Sequence, residues 1–204
     1  LKILNRDSLI REITFHKGIN LIVDETPEDL SKTSTGNNVG KTTVIRLVDY
    51  CFGGDGKNIY QDTEFKKQPN TFIENFLKEN DIIIEIELAD DLNDKTSENI
   101  LIKRNFLQRG KKIQAVNGEN ITNNNEFDKR LKEFIFKSEV DKPTFRQIIS
   151  KNIRDEKNKM TNIVKVLSSF ASSEVYEALY LFWLGIDTNE LDQKQKLSES
   201  KKRE

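Results

Sequence analysis

The stretch Thr33–Gly54, "TSTGNNVGKTTVIRLVDYCFGG", limits the fold of this chain more than any other part of it. Gly36 and Gly40 bracket three residues, and Lys41 and Thr42 follow at once. Glycines so spaced let successive backbone N–H groups turn inward around an anion, in torsions that larger residues resist. The pattern is the phosphate-loop form G-x-x-x-x-G-K-[ST], with Thr35 at the opening glycine position and Gly36 beside it. Its reduced form, G-x-x-x-G-K-[ST], arises by accident in roughly one chain of this length in a hundred. Asn37 and Asn38 tolerate a left-handed conformation, and Val39 completes the loop. Beyond it, Val44, Leu47, Val48 and Cys51 fall at i, i+3, i+4 and i+7, which predicts an amphipathic helix. Gly53 and Gly54 predict its end. A helix starting there turns its positive end toward the anion. Lys41 would reach the β- and γ-phosphates of a nucleotide, Thr42 would place its hydroxyl on magnesium, and Thr43 would close the turn.

The surroundings suit such a unit. "LKILN" and "REITFHKGINLIVDE" carry alternating or continuous apolar runs, and "INLIV" is apolar enough for a central buried strand. A polar insertion, "TPEDLSKTST" at 26–35, separates that strand from the loop and reads as a surface flap. "DIIIEIELAD" alternates Ile84, Ile86 and Leu88 against Glu85 and Glu87, the pattern of an antiparallel strand with one wet face. With "ENILIKRNFL" and "KKIQAVNGENIT" it predicts an antiparallel sheet over about 82–122, turned at Asn117-Gly118. A helical part follows over about 125–187, opening with "NNEFDKRLKEFIF". It ends on "SSEVYEALYLFWLGI", where Tyr176, Leu179, Tyr180, Trp183 and Leu184 form a broad apolar stripe read as core. Residues 188–204 are almost wholly polar and read as the start of a coiled coil or a polar tail. The expected fold is α/β, with residues 1–187 forming one lobe.

Charge narrows the function classes. The 33 basic and 34 acidic residues leave a formal net charge of -1, which argues against a strongly basic nucleic-acid binder. Cys51 is the single cysteine, so no intramolecular disulfide forms, as suits a reducing cytoplasm. Neither an apolar run of about 18 residues nor a basic-then-apolar leader occurs, so no membrane span or signal peptide is expected. The chain opens on Leu1 and not on Met, so a few residues are expected ahead of it.

"GINLIV" followed by "GNNVGKTTVIRLVDYCFGG" resembles the N-terminal half of an SMC-like ABC ATPase head, of the RecF and RecN type. Asn37 matches that family's asparagine, whereas Asn38 stands where glycine is usual. The missing first glycine and the insertion are similar to a bacterial SMC-like subgroup, some members of which lie in multi-component defence loci. The resemblance implies a P-loop NTPase fold with an antiparallel β subdomain and a coiled-coil stub, and ATP and Mg2+ as cofactors. It implies a glutamine touching magnesium and the attacking water, for which Gln147 in "TFRQIIS" is the match, although an ordinary helix glutamine reads the same way. Arg6 and Arg11 match the basic residue that touches phosphates. Its implied partners are a C-terminal lobe of the same head, a second head in a dimer, and DNA or accessory proteins.

Hydrolysis in that family also needs four apolar residues followed by Asp-Glu, and a signature serine loop from an opposing head. Asp90 and Asp91 after "IIIEIEL" sit on a wet antiparallel pattern and are rejected as catalytic. His16 reads as a strand-surface residue and Cys51 as a small buried apolar group. The chain is therefore expected to bind ATP and, alone, to hydrolyse it negligibly. A non-hydrolysing nucleotide-gated interaction module stays open as an alternative. A compact P-loop kinase or GTPase would need further parallel strands within this length.

Overall fold

The computed structural model describes residues 1–23, 40–61, 68–91, 93–94, 96–155, 157–162, 164–167 and 171–186. The chain divides into two units, Leu1–Phe127 and Asp128–Glu204. The first holds a six-stranded sheet whose neighbouring strands all pair antiparallel. In chain order the strands are β1 (Lys2–Asn5), β2 (Ser8–Glu12), β3 (Ile82–Ala89), β4 (Asn99–Asn105), β5 (Gln114–Val116) and β6 (Glu119–Asn120). Their order across the sheet is β2-β1-β3-β4-β5-β6. Between β2 and β3 come α1 (Lys41–Cys51), α2 (Lys57–Tyr60) and α3 (Thr71–Glu79).

Side-chain parity fixes which face is dry. Ile84 lies opposite Arg104 and Ile86 opposite Ile102, and all four are buried. On the other face Lys2 is opposite both Glu12 and Glu85, and Lys103 is opposite Glu85. The charges alternate, with Lys103 Nζ 2.7 Å and Lys2 Nζ 3.8 Å from Glu85 carboxylate oxygens. Glu85 at the centre of this ladder is nearly covered, and cross-strand pairs of this kind contribute about 0.2–1 kcal/mol each. Their larger effect is on register, since a slip of one residue would bury them. The β5–β6 turn is made by Asn117 (φ 51) and Gly118 (φ 86), two positive-φ residues that suit the twist of a tight hairpin. The expected antiparallel sheet over 82–122 is present.

"INLIV" departs from expectation. Residues 19–23 form no strand, and Ile19 (82%), Leu21 (79%) and Val23 (64%) are exposed. A run that is apolar on both sides is buried only between strands flanking it in a sheet. All six places in this sheet are taken by other segments, and no parallel pair occurs among the described residues.

In the second unit α4 (Asn124–Phe136), which begins at the end of the first, is followed by α5 (Phe145–Asn152), α6 (Lys157–Thr161) and α7 (Ser173–Trp183). The Phe136 ring meets those of Phe145, Phe182 and Trp183 at 6.1, 5.6 and 5.9 Å. Tyr176 and Tyr180 stack at 6.4 Å and are half-buried, and Leu179 is fully buried, but Trp183 (42%) and Leu184 (72%) are exposed, so of the expected core stripe only Leu179 is fully enclosed. Lys132 is buried, with its Nζ donating to the carbonyls of Val140 and Pro143, both at 2.6 Å. Residues 188–204 lie outside the described residues, as does the insertion at 26–35. No helix among the described residues is long and apolar enough to cross a membrane.

Helix α1 ends as its glycines predict. Gly53, at φ 83, donates its N–H to the Tyr50 carbonyl at 3.1 Å, and Gly54 donates to that of Asp49 at 2.9 Å. These are the paired bonds of a left-handed helix stop. A Cβ on Gly54 would lie 2.1 Å from Asp49 Oδ2 and 2.7 Å from the Asp49 backbone oxygen. Gly54→Ala is therefore expected to cost about 1–3 kcal/mol through forced backbone movement. Gly110→Ala, whose added Cβ meets nothing within 4 Å, is expected to cost little. Urea unfolding of the two variants tests this, and equal midpoints would contradict it.

Candidate functional site

Of the phosphate-loop residues, Gly40, Lys41, Thr42 and Thr43 lie in the described part, whereas Gly36, Asn37, Asn38 and Val39 lie outside it. Gly40 is the N-cap of α1 in the left-handed conformation, with φ 74 and ψ 17. A residue with a Cβ adopts such torsions at a cost of about 1–2 kcal/mol. Having no side chain, Gly40 cannot cap the helix, and the first turn carries no acidic residue. Within its own first turn, then, the positive end of α1 meets no carboxylate. Lys41 and Thr42 are its first two helical residues, and Thr42 is exposed. Only Lys41 adds a full charge to this turn.

The other end of α1 is anchored deeply. Leu47, Asp49, Tyr50 and Cys51 are buried, and α1 packs on β3 and β4. Arg104, on β4 and 8% exposed, donates from Nη1 to the Tyr50 carbonyl and, at 3.0 Å, to that of Gly54. Its guanidinium carbon lies 4.0 Å above the Tyr50 ring centre and 5.5 Å from that of Phe127. The Tyr50 hydroxyl donates to the Asn105 carbonyl. Tyr50 also stacks on Phe106, with centroids 4.7 Å apart and planes 8° apart. Sequence inspection does not single out Arg104, because one Arg in "ILIKRNF" reads as the wet face of a strand. Its one signal is parity: it shares a face with Ile84 and Ile102.

The remaining expected site residues fall elsewhere. Arg6 (φ 51) is in the β1–β2 turn and Arg11 is exposed on β2, an edge strand two places from β3, the nearer of the strands that carry α1. Gln147 is in the second unit, where it completes a capping box for α5. Its N–H donates to Thr144 Oγ1 at 3.3 Å, and its Oε1 accepts from Thr144 N–H at 2.8 Å. The sequence carries that signal as Thr144-x-x-Gln147. His16 is exposed and lies beyond the end of β2, in a turn closed by Asn20, whose Nδ2 donates to the His16 carbonyl at 2.8 Å. An open groove of about 510 Å³ lies on the polar side of the sheet, lined by Glu12, Phe15, His16, Glu85, Glu87 and Asp91 among others. None of Gly40, Lys41 and Thr42 lines it.

Comparison with known proteins adds one relative. No protein-family model matches the chain, and no solved structure matches it. Over 199 residues it is 26% identical to the uncharacterized protein YydD of Bacillus subtilis strain 168. The alignment covers 92% of this chain and 30% of that protein, so the chain spans about a third of its relative's length.

Cys51 is fully buried, as expected of a small apolar group. Burial pushes its thiol up from 9.0 to about 12, and burial likewise raises Tyr50 from 10.0 to about 12. Both groups are held neutral in the folded chain. Their contribution to stability is therefore complete below pH 9 and lost as pH rises from about 9 to about 12. Native protein at pH 8 is expected to leave Cys51 unlabelled by a thiol-reactive disulfide reagent, with full labelling in guanidinium. Urea midpoints are expected to fall between pH 9 and 11. Rapid native labelling at pH 8 would contradict this assignment.

Proposed function

We propose that this chain is the nucleotide-binding N-terminal half of an ATPase head of the SMC-like ABC class, holding Mg2+ and ATP at residues 36–43. The observation that carries the proposal is Gly40, left-handed at the uncapped start of α1 and followed directly by Lys41 and Thr42. A phosphate there would meet inward-turned N–H groups, the positive helix end and one ammonium, each of which favours an anion. Lys41 would contact the β- and γ-phosphates and Thr42 the metal. Gln147, Arg6 and Arg11 remain proposals drawn from family likeness.

Two further features support a half-head. The relative is about three times as long as the matched region, and "INLIV" is an apolar run left exposed and outside the sheet. A C-terminal lobe of the same head would supply flanking strands, and a second head would supply the opposing loop. ATP-dependent engagement of the two heads would then act on DNA or accessory proteins in a repair or defence setting within the cytoplasm.

Calorimetry with Mg·ADP and Mg·ATP tests the site. Wild type is expected to bind, and Lys41→Ala to bind far more weakly, having lost the main phosphate charge; equal binding by the two would remove the assignment. The 204-residue chain alone is expected to turn ATP over far below the roughly 1–100 per second of phosphoryl-transfer enzymes. Groups that orient water and stabilise developing charge are each worth about a hundredfold or more, and several would come from the missing lobe and the second head. Turnover in the ordinary range, abolished by Lys41→Ala, would overturn the half-head assignment.

A further inference from the structure

Resting on that phosphate site, we infer that Arg104 is a positioning residue for it, acting through the length of α1 from the opposite end. The helix has 11 residues and so measures about 16 Å. Its N-terminal turn presents Gly40, Lys41 and Thr42, while the bonds that fix its direction gather at its C-terminal turn. There the Arg104 guanidinium spans two carbonyls, that of Tyr50 inside the last turn and that of Gly54 just past the stop. One planar cation thus joins β4 to both sides of the helix end. Rotation about that point is resisted further by the Tyr50 hydroxyl on the Asn105 carbonyl and by the parallel stacking of Tyr50 on Phe106.

Arg104 and Asn105 are adjacent on β4, and Phe106 follows at once. Three consecutive residues, the last two of β4 and the one after it, therefore hold a single helix turn by three different contacts. Geometry makes the site sensitive to that clamp. A tilt of about 5° at the anchored end moves the far end of a 16 Å helix by about 1.4 Å. Displacements on the order of 1 Å in positioning groups cost about a hundredfold in rate. Lysine does not replace arginine here, because an ammonium has no planar face to lie over the Tyr50 ring while one of its nitrogens serves both carbonyls.

The test uses the 204-residue chain with Mg·ADP as the probe, calorimetry for affinity and guanidinium unfolding for stability. Four proteins are compared: wild type, Lys41→Ala, Arg104→Lys and Val116→Ala. The last lightens the buried core at β5 without removing any part of the clamp. Arg104→Lys is expected to stay folded and to weaken Mg·ADP binding by about tenfold or more. Val116→Ala is expected to bind within about twofold of wild type despite a comparable loss of stability. Binding by Arg104→Lys within about twofold of wild type would overturn the inference, as would an equal loss in Val116→Ala. Absence of binding in wild type, or no difference between wild type and Lys41→Ala, would instead remove the phosphate site and this inference with it.

A second readout separates positioning from support. Coupling between two ends of a helix is reciprocal, so Mg·ADP should slow amide exchange at Gly53 and Gly54 in wild type and leave it unchanged in Arg104→Lys. Unchanged exchange in wild type that binds Mg·ADP would count against the coupling. If Arg104→Lys does not fold, Tyr50→Phe takes its place. It loses only the hydroxyl donated to Asn105 and is expected to weaken binding in the same direction by about threefold, with no change counting against the inference.

Discussion

A buried arginine holds the first unit together. Moving a cation out of water costs several kcal/mol unless bonds and opposing dipoles replace its hydration. Arg104 finds that replacement at the C-terminal end of α1, where the Tyr50 carbonyl lies at the negative end of the helix dipole and that of Gly54 just past the stop, and on the face of Tyr50. The arrangement is mutual: the helix end needs donors and the guanidinium needs acceptors. Removing either partner strands the other in the core, which makes the contact between α1 and β4 specific as well as strong. Arg104 and Asn105 at the end of β4, with Phe106 just beyond it, all bear on the last turn of α1, which the buried Leu47 and Cys51 also hold to the sheet.

Where short-range chemistry decides the outcome, the sequence was legible. The turn at Asn117-Gly118, the stop at Gly53-Gly54 and the alternation of Ile84 and Ile86 with Glu85 and Glu87 each became the element they predict. Each needs only neighbours within a few residues, or a period of two. Arg104 was not legible, because its burial depends on a helix end 54 residues away, at Tyr50. "INLIV" failed for the opposite reason. Its composition reports the environment it is suited to, and no segment among the described residues provides that environment.

At the candidate phosphate site one backbone feature reads directly from the sequence. Gly40 has the positive φ that its glycine implies, while the residues from Gly36 to Val39 lie outside the described part. Gln147 shows how two signals can share one residue. Read as a lone polar side chain it is ambiguous, whereas read with Thr144 it is a helix start, and the hydrogen bonds supply that second meaning. A capping glutamine has its Oε1 committed to the backbone, so any contact with a metal through that atom would first have to release it.

The bare run at Ile19–Val23 also bears on how this chain behaves at high concentration. The run holds four aliphatic residues and one asparagine, without charge or proline. Segments of that composition pair readily with copies of themselves when left open. Nearby in sequence, β2 is an edge strand with Leu9 and Ile10 half exposed, a second surface open to edge-to-edge pairing. Arg11 and Glu12 give that edge some protection, since charged side chains discourage such contacts, but Ile19–Val23 has no comparable guard. The feature suited to burial inside a larger assembly is therefore a liability outside it, and self-association of the isolated chain would begin there before it began at the charged β2 edge.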